Sequence, residues 1–181
     1  GEKVLVVGAG TIGLFAAMSA KLRGAEVAMC DIAEEKLQYA QEHFQVDHII
    51  VNKDNNTFLE KVEELTGGNN FDVTVEAVGL PSTFLNCIDA AAFGGRVVVI
   101  GVAKHNADFN FTLIQKKELC ILGSRNALKA DFMEVIDIMK NQKVRNLDKI
   151  ITKTYSITDV AEAFEDLDKN AGSILKVTFK F

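Results

Sequence analysis

Short apolar runs recur along this 181-residue chain at nearly constant intervals, and this rhythm constrains the fold more than any other feature of the sequence. The gaps between the starts of successive runs are 23, 21, 25, 24 and 22 residues, enough for one strand and one helix each. Runs that are apolar throughout are typical of strands covered on both faces, as in a parallel sheet. The runs begin at Val4, Val27, His48, Val73, Val97 and Leu119.

The segments between the runs carry helical patterns. Leu14, Ala17 and Met18 fall on one face of the first predicted helix, and Gly24 follows at a position typical of a helix end. Pro81 stands where a later helix begins. Strands that alternate with helices predict an α/β fold with a doubly wound, six-stranded parallel sheet. In such a sheet, ligands bind at the carboxyl ends of the strands, where the winding reverses.

Beyond the sixth run the rhythm changes. Asp131 and Glu134 are three residues apart and predict the capped start of a helix. Residues 175–181 alternate strictly between apolar and polar side chains, which predicts a strand with one solvated face. We therefore expect two units, a central α/β domain over residues 1–125 and an α+β extension over residues 126–181.

Charge and hydropathy patterning exclude several classes of partner. The formal net charge of -5 is spread along the chain, with no basic stripe of the kind that neutralises nucleic-acid phosphates. No apolar run approaches the roughly 20 residues that a membrane-spanning helix needs, so we expect neither a nucleic-acid nor a membrane partner. Because the chain opens on Gly1 without Met, carries no targeting pattern and reaches a strand within three residues, we expect a piece of a longer protein.

The cysteines and histidines show no metal-site pattern. Cys30, Cys87 and Cys120 lie far apart, form no C-x-x-C pair and have no histidine at a ligand-like interval. This pattern predicts no metal site in the chain and free thiols in a reducing, cytoplasmic compartment. Cys30 is interpreted as a small buried residue. The histidines are interpreted as surface or locally hydrogen-bonded residues: His43, His48 and His105.

The stretch VLVVGAGTIGL places three glycines in a G-x-G-x-x-G pattern between the first strand and the first helix. Gly8 allows a tight turn, Gly10 lets the backbone approach a pyrophosphate, and Gly13 allows the helix to pack closely on the strand. The free N–H groups and the positive dipole end of the helix then favour a negative charge. Glycines also serve other tight turns, so the pattern alone does not decide the ligand.

Asp31 lies 18 residues after Gly13, at the end of the second predicted strand. An acidic residue there accepts hydrogen bonds from the adenosine ribose hydroxyls of a dinucleotide and repels a 2'-phosphate. Neither Ile32 nor Ala33 supplies an arginine that would neutralise such a phosphate, so NAD is favoured over NADP. Two alternatives stay open: the glycines shape a turn in another nucleotide or S-adenosylmethionine fold, and Asp31 caps the helix over residues 33–42, a role that can coexist with ribose binding.

Seven segments, taken in order, resemble the cofactor-binding part of the zinc-type medium-chain dehydrogenases, which has the Rossmann fold. Five of them are KVLVVGAGTIGL, VAMCDIAEEKL, DVTVEAVG, GGRVVVIGV and KKELCILGSRNA, and ITKTYSITDVAEAFEDL and SILKVTFKF resemble the family's closing helix and strand. The resemblance therefore covers the whole chain. It is nearest to polyol and sugar-acid dehydrogenases, with sorbitol dehydrogenase and threonine dehydrogenase as similar proteins.

The resemblance implies a set of residues that bind NAD. One group would form the pyrophosphate turn, with one of its side chains behind the nicotinamide ring, and a second would bind the adenosine ribose. The remaining groups would pass beside the nicotinamide-side ribose, meet the carboxamide through backbone atoms, and reach the cleft after the sixth strand. In this order the groups are Gly8, Gly10, Thr11, Ile12 and Gly13; Asp31 and Lys36; Ala77, Val78 and Gly79; Ile100, Gly101 and Val102; Ser124 and Arg125.

Plainer interpretations exist for three side chains in these segments. Lys36 also fits a solvated helix lysine. Arg125 is the side chain expected to touch cofactor phosphate or substrate, and a position without a functional role stays open for it. Glu76, at a strand end, is interpreted as a structural carboxylate that caps a neighbouring amide.

In this family the amino-terminal part supplies the catalytic zinc ligands and the proton relay, and the resemblance places neither in this chain. We therefore expect no catalytic residue here, and zinc only in the full-length enzyme. The complete protein would oxidise a secondary alcohol of a polyol or sugar acid to a ketone while reducing NAD. The isolated chain is expected to bind NAD or NADH with little or no turnover, and residues 126–181 to pack with the absent catalytic domain.

Leu119–Leu122 is predicted at the sheet edge, where unpaired backbone groups invite a second chain. Since the family pairs similarly, we expect a homodimer. Two other functions stay open. Small Rossmann domains also sense NADH in regulatory modules without chemistry, although the EAVG turn and the long tail after Arg125 are unnecessary for that role. A methyltransferase also has an acidic residue after its second strand, but nothing else in the sequence indicates one.

Overall fold

The computed structural model describes residues 1–181 and has a six-stranded, wholly parallel sheet at its centre. The strand order is β3-β2-β1-β4-β5-β6, so the winding reverses between β1 and β4 and the doubly wound prediction is confirmed. The strands are β1 (Lys3–Val7), β2 (Glu26–Asp31), β3 (His48–Val51), β4 (Phe71–Glu76), β5 (Ala91–Val99) and β6 (Cys120–Gly123).

Helices connect these strands and follow them. The helices are α1 (Thr11–Leu22), α2 (Glu34–Phe44), α3 (Asn55–Thr66), α4 (Pro81–Ala90), α5 (Thr112–Lys116), α6 (Lys129–Lys140) and α7 (Val160–Lys169). Pro81 occupies the first turn of α4, as predicted. At the end of α1 the chain leaves the helix through Gly24, whose φ of 79° is the left-handed conformation typical of a helix end.

Two apolar clusters cover the two faces of the sheet. The first joins α1 and α2 to alternate residues of the inner strands, including Val4 and Val6. The second joins α3 and α4 to the residues between them, including Leu5 and Val7. Because successive side chains of a strand point to opposite faces, β1 is buried on both sides. This double burial is the physical reason for its uninterrupted apolar run.

β5 begins at Ala91 rather than at Val97, where the apolar run suggested a start. Phe71 of β4 pairs with Ala91, but Val73 pairs with Arg96, so the residues in between bulge out of the ladder. Gly94, with a φ of 69°, makes this bulge possible. Because this early part of β5 contains glycines and an exposed bulge, it has no continuous apolar run, and the hydropathy pattern does not indicate a strand there.

The residues after β6 add no strand to the central sheet. They form α6, α7 and a separate two-stranded parallel sheet of β7 (Ile151–Ser156) and β8 (Lys176–Lys180). Short 3-10 turns at Leu147–Ile150 and Ile157–Asp159 flank β7. The division into domains at residue 125 stays a prediction, although the change of architecture falls close to it.

The predicted start of α6 at a cap formed by Asp131 and Glu134 is wrong. The helix begins at Lys129, and Asp131 lies in its first turn, where its carboxylate accepts a hydrogen bond from the amide of Leu128 at 2.6 Å. Glu134 instead forms an ion pair at 2.9 Å with Arg23, the residue that follows α1. Asp131 therefore stabilises the helix from inside its first turn rather than from the cap position before it.

No helix of the structure is both long and apolar enough to cross a membrane. The three cysteines are free thiols, Cys30 and Cys87 buried and Cys120 exposed on β6. β6 pairs only with β5, so its predicted place at the sheet edge is confirmed, and all four of its residues are exposed.

Phe58→Ala is expected to lower the free energy of unfolding by about 3 to 5 kcal/mol, because it removes a fully buried ring between α3 and the sheet. Urea denaturation followed by circular dichroism measures the change. Leu59→Ala is the matched control on the same helix, since Leu59 is partly exposed, and it should cost less than about 1 kcal/mol. Equal losses for the two variants would contradict the described core.

Candidate dinucleotide-binding site

The turn between β1 and α1 uses its three glycines in three different ways. Gly8 has a φ of 114°, which L side chains rarely adopt. A Cβ atom on Gly13 would lie 1.9 Å from the carbonyl oxygen of Gly8, so only glycine lets α1 approach the strand this closely. A Cβ atom on Gly10 would meet nothing within 4 Å. Space for a ligand therefore remains above the middle glycine, while the outer two glycines are required by the backbone itself.

The start of α1 offers unused hydrogen-bond donors beside this space. The amides of Gly10, Thr11, Ile12 and Gly13 donate to no other protein group. Such free N–H groups, together with the positive end of the helix dipole, attract an anion. The side chain of Ile12 is 55% exposed at the same point. The arrangement fits the pyrophosphate of a dinucleotide.

Thr11 contributes its amide to this region but not its hydroxyl. The Thr11 Oγ1 donates to the carbonyl oxygen of Leu175 at 2.8 Å, across 164 positions of the sequence. The segment before β8 therefore lies against the glycine turn. Sequence analysis missed Leu175, because a backbone acceptor leaves no signal in residue type or spacing.

Asp31 ends β2 and joins the glycine turn to the start of α2. Its Oδ2 accepts from the amide of Ala9 at 2.7 Å, and its Oδ1 accepts from the amide of Ala33 at 2.9 Å. Ala33 itself occupies the cap position of α2, so the carboxylate binds the amide just before the helix. Each carboxylate oxygen has a second lone pair for a further donor. Structural and ligand-binding roles are thus compatible at Asp31.

The negative charge of Asp31 also acts on its neighbour. Burial, with a smaller contribution from the Asp31 charge, raises the pKa of the Cys30 thiol to about 12. Cys30 is fully buried in the second apolar cluster, which confirms its interpretation as a small buried residue. Its thiol stays neutral and takes no part in the chemistry of the turn.

Glu76 ends β4 and stabilises the turn that follows it. The side chain is 1% exposed, and its Oε1 accepts from the amides of Val78 at 3.0 Å and Gly79 at 2.8 Å. The hydroxyl of Thr83 on α4 donates to the same oxygen at 2.7 Å. The interpretation of Glu76 as a structural carboxylate that caps neighbouring amides is confirmed.

The remaining predicted site residues lie at the carboxyl ends of the same strands. Ile100, Gly101 and Val102 follow β5 beside the turn after β4, and Ser124 continues the pairing of β6 through its amide, which donates to Val99 at 2.9 Å. Arg125 is exposed and its side chain binds no protein group. Lys36 is half-buried on α2 without an ion pair. The fold thus brings all of these segments to the side of the sheet where the strands have their carboxyl ends. Their contacts with a cofactor stay a prediction.

Two of the histidines have local partners, as expected. His48 lies 3.0 Å from a carboxylate oxygen of Glu26, and the ring of His43 packs edge-on against Tyr39 with 4.4 Å between centroids. No group of three or more His, Cys, Asp or Glu side chains is placed to share a metal ion. The residues of this chain therefore do not fit a zinc site.

Comparison with known proteins decides the family. The sequence profile described as Zinc-binding dehydrogenase matches residues 11–141. The chain belongs to the zinc-binding dehydrogenases. This placement confirms the resemblance to zinc-type alcohol, sorbitol and sugar-acid dehydrogenases, since sorbitol dehydrogenases are also among the matched relatives.

Two curated relatives of this dehydrogenase family match the chain over its whole length. An uncharacterized zinc-type alcohol dehydrogenase-like protein of Haemophilus influenzae is 34% identical over 181 residues, which are 100% of this chain and 52% of the relative. The L-galactonate-5-dehydrogenase of Escherichia coli is 30% identical, with the same coverage of both chains. The chain thus spans about half the length of the curated relatives it matches.

A solved structure of a zinc-dependent enzyme agrees with the fold. Zinc dependent alcohol dehydrogenase 2 from Streptococcus pneumoniae superposes with a TM-score of 0.91 over 100% of this chain and 52% of that chain. The sequence identity is 22%, so the likeness concerns the fold alone. All elements of this chain, including those after β6, have counterparts within one solved chain.

Gly13→Ala and Gly10→Ala should differ sharply in stability. The methyl group on Gly13 meets the Gly8 carbonyl, and we expect a loss of about 3 kcal/mol, as for overpacked sites. Gly10 has an extended backbone with open space around it, so its replacement should cost less than about 1 kcal/mol. Thermal and urea unfolding of the two variants measure the difference. A Gly10 variant as unstable as the Gly13 variant would contradict the open space above the turn.

Proposed function

We propose that this chain is the NAD(H)-binding portion of a zinc-dependent dehydrogenase that oxidises a secondary alcohol of a polyol or sugar acid to a ketone. The observation that carries the proposal is the glycine turn, which has open space at Gly10 and four unused amides beside the carboxylate of Asp31. The relative named L-galactonate-5-dehydrogenase supports the sugar-acid class. Because the chain spans about half of such relatives, the activity belongs to the longer protein.

The residues present fit a nicotinamide dinucleotide. The amides of Gly10 to Gly13 would bind the pyrophosphate, and the free lone pairs of Asp31 would accept from the adenosine ribose hydroxyls. The Asp31 charge would repel the extra phosphate of NADP, so NAD and NADH are preferred. When bound, NAD supplies the acceptor for the hydride that leaves the alcohol carbon.

The chain does not supply the zinc ion or the groups that move the proton of the alcohol. A zinc ion stabilises an alkoxide as a Lewis acid, and three or four convergent protein ligands hold the ion. No group of three or more His, Cys, Asp or Glu side chains is placed to hold a metal ion here. We therefore infer that the isolated chain binds cofactor with little or no turnover. The catalytic ligands would belong to the part of the longer protein that this chain lacks.

An uncovered apolar surface supports this division. Phe132, Val135, Ile136 and Met139 of α6 are each 46% to 62% exposed. A cavity of about 510 Å³ runs between α6, α1 and β7, with mostly apolar side chains along it. Apolar patches of this kind mark interfaces. We propose that the catalytic half of the longer enzyme covers this surface.

NADH is expected to bind the purified chain, and NADPH to bind at least about tenfold more weakly because Asp31 repels its 2'-phosphate. Fluorescence titration and thermal shift measure both affinities, with S-adenosylmethionine as a negative control. Gly10→Ala should remain folded and lose NADH binding. Asp31→Asn should reduce the ratio of NADH affinity to NADPH affinity. With sorbitol and NAD added, the chain should produce no NADH above background.

Glu60→Gln is the matched control for Asp31→Asn, since Glu60 is an exposed acid on α3, away from the glycine turn. Glu60→Gln removes one negative charge, as Asp31→Asn does, and should leave the preference for NADH over NADPH unchanged. Selective stabilisation by S-adenosylmethionine, or equal affinity for NADH and NADPH in the unchanged chain, would contradict the proposal.

We further propose that the chain forms a homodimer across the exposed edge of β6. Backbone groups on the free side of an edge strand pair readily with a second chain, and the side chains of Ile121 and Leu122 are 37% and 45% exposed there. Analytical ultracentrifugation should give twice the mass of one chain. Ile121→Lys places a charge at the edge and should shift the equilibrium toward monomer, whereas Lys116→Ala, before the strand, should not. A monomeric mass at high concentration would remove the proposal.

A further inference from the structure

Glu76 binds the backbone on both sides of the position where β4 and β5 end. Its Oε1 accepts three hydrogen bonds, two of them from the amides of Val78 and Gly79. Its own carbonyl oxygen accepts from the amides of Ile100 at 2.9 Å and Gly101 at 3.0 Å. One buried residue therefore fixes the turn after β4 directly and the turn after β5 through its backbone.

The two turns also press against each other. A Cβ atom on Gly79, whose φ is 89°, would lie 2.6 Å from the carbonyl oxygen of Val102. A Cβ atom on Gly101 would lie 2.3 Å from the Oε2 of Glu76 and 2.3 Å from the amide nitrogen of Gly79. With glycine at both positions, the backbones of the two turns approach each other closely. The Glu76 carboxylate contacts both turns, because its Oε1 accepts from the amides of Val78 and Gly79 and its Oε2 lies beside Gly101.

The position of these turns relates them to the second half of a dinucleotide. The winding reverses between β1 and β4, and a dinucleotide lies across the crevice at such a reversal. With its adenosine end over β1 and β2, at Gly10 and Asp31, its other nucleotide extends over the ends of β4 and β5. That nucleotide would then rest on the two turns that Glu76 fixes.

We propose that Glu76 is the positioning residue for the nicotinamide half of the cofactor, an inference that rests on the proposed NAD function. Its side chain would act without touching the cofactor. It acts by setting the backbone of the turns after β4 and β5, and so affects the nicotinamide nucleotide without affecting the adenosine nucleotide.

The second carboxylate oxygen indicates which property of Glu76 matters. The Oε2 accepts no hydrogen bond, and Glu76 borders a cavity of about 280 Å³ that Phe84, His105 and Phe109 also line. No cation pairs with the carboxylate, and all of its side-chain bonds are made by the Oε1 to neutral donors. An amide oxygen in the place of Oε1 can accept from the same donors. Glutamine should therefore replace Glu76, whereas a shorter side chain should not.

The test compares NADH with AMP, because AMP carries only the adenosine half of the cofactor. Glu76→Ala leaves the amides of Val78 and Gly79 without their acceptor. We expect NADH affinity to fall by about tenfold or more and AMP affinity to stay within about threefold. Glu76→Gln should restore the NADH affinity to within about threefold of the unchanged chain. Isothermal titration calorimetry measures both ligands, and retained AMP binding shows that the variant is folded.

Thr74→Val is the matched structural control. Thr74 is fully buried on the same strand, and its hydroxyl donates to the carbonyl oxygen of Cys87 on α4 at 3.0 Å. Its loss should lower stability without changing the ratio of NADH to AMP affinity. If Glu76→Ala does not fold, Glu76→Asp, which is one methylene shorter, provides the same ratio.

An unchanged ratio in Glu76→Ala or Glu76→Asp, with NADH still bound, would overturn the positioning role and leave the proposed function intact. Equal losses for NADH and AMP would also overturn it, since they indicate a general loss of structure. Failure of the unchanged chain to bind NADH would instead overturn the proposed function, and this inference with it.

Discussion

The structure depends on the burial of the parallel sheet from both sides. β1 is the central example, because its alternate residues enter two different apolar clusters and neither face is left to water. A strand of this kind needs helices on both faces, and each helix needs a connection that returns the chain to the same end of the sheet. The carboxyl ends of the strands therefore gather at one side of the sheet, and the positive-φ turns at Gly8 and Gly79 lie there. The position of the candidate site is a consequence of covering the sheet.

Two acidic residues fix the backbone of the turns at the carboxyl ends of the strands. Asp31 and Glu76 each end a strand, and each accepts hydrogen bonds from two backbone amides of the turns that follow or adjoin it. Amides in tight turns have no partner in a regular ladder, and carboxylate oxygens satisfy them strongly because the acceptor is charged. The two residues differ in exposure: Glu76 is enclosed, while Asp31 is half-buried with lone pairs to spare. Because of this difference, Glu76 is interpreted as a structural residue that fixes the turn after β4, and Asp31 as a ligand-binding residue.

Much of the fold could be predicted because its causes are local. Apolar runs, the helix stop at Gly24 and the helix start at Pro81 each depend on a few adjacent residues, and the structure shows them where the sequence indicates. The glycine turn and Asp31 could be recognised as a pair because their spacing is set by one strand and one helix. The bulge before Arg96 and the start of α6 could not, since hydropathy does not report backbone register and an acid in the first turn resembles an acid at the cap. The contact between Thr11 and Leu175 depends on how two distant segments dock, which no local pattern contains.

That contact joins the glycine turn to the segment just before β8. The Thr11 hydroxyl at the start of α1 donates a hydrogen bond to the carbonyl oxygen of Leu175, 164 positions further along the sequence. Because synthesis proceeds from β1 towards β8, all six strands of the central sheet are made before the segment that contains Leu175. The glycine turn therefore gains this neighbour only once that later segment has docked against it.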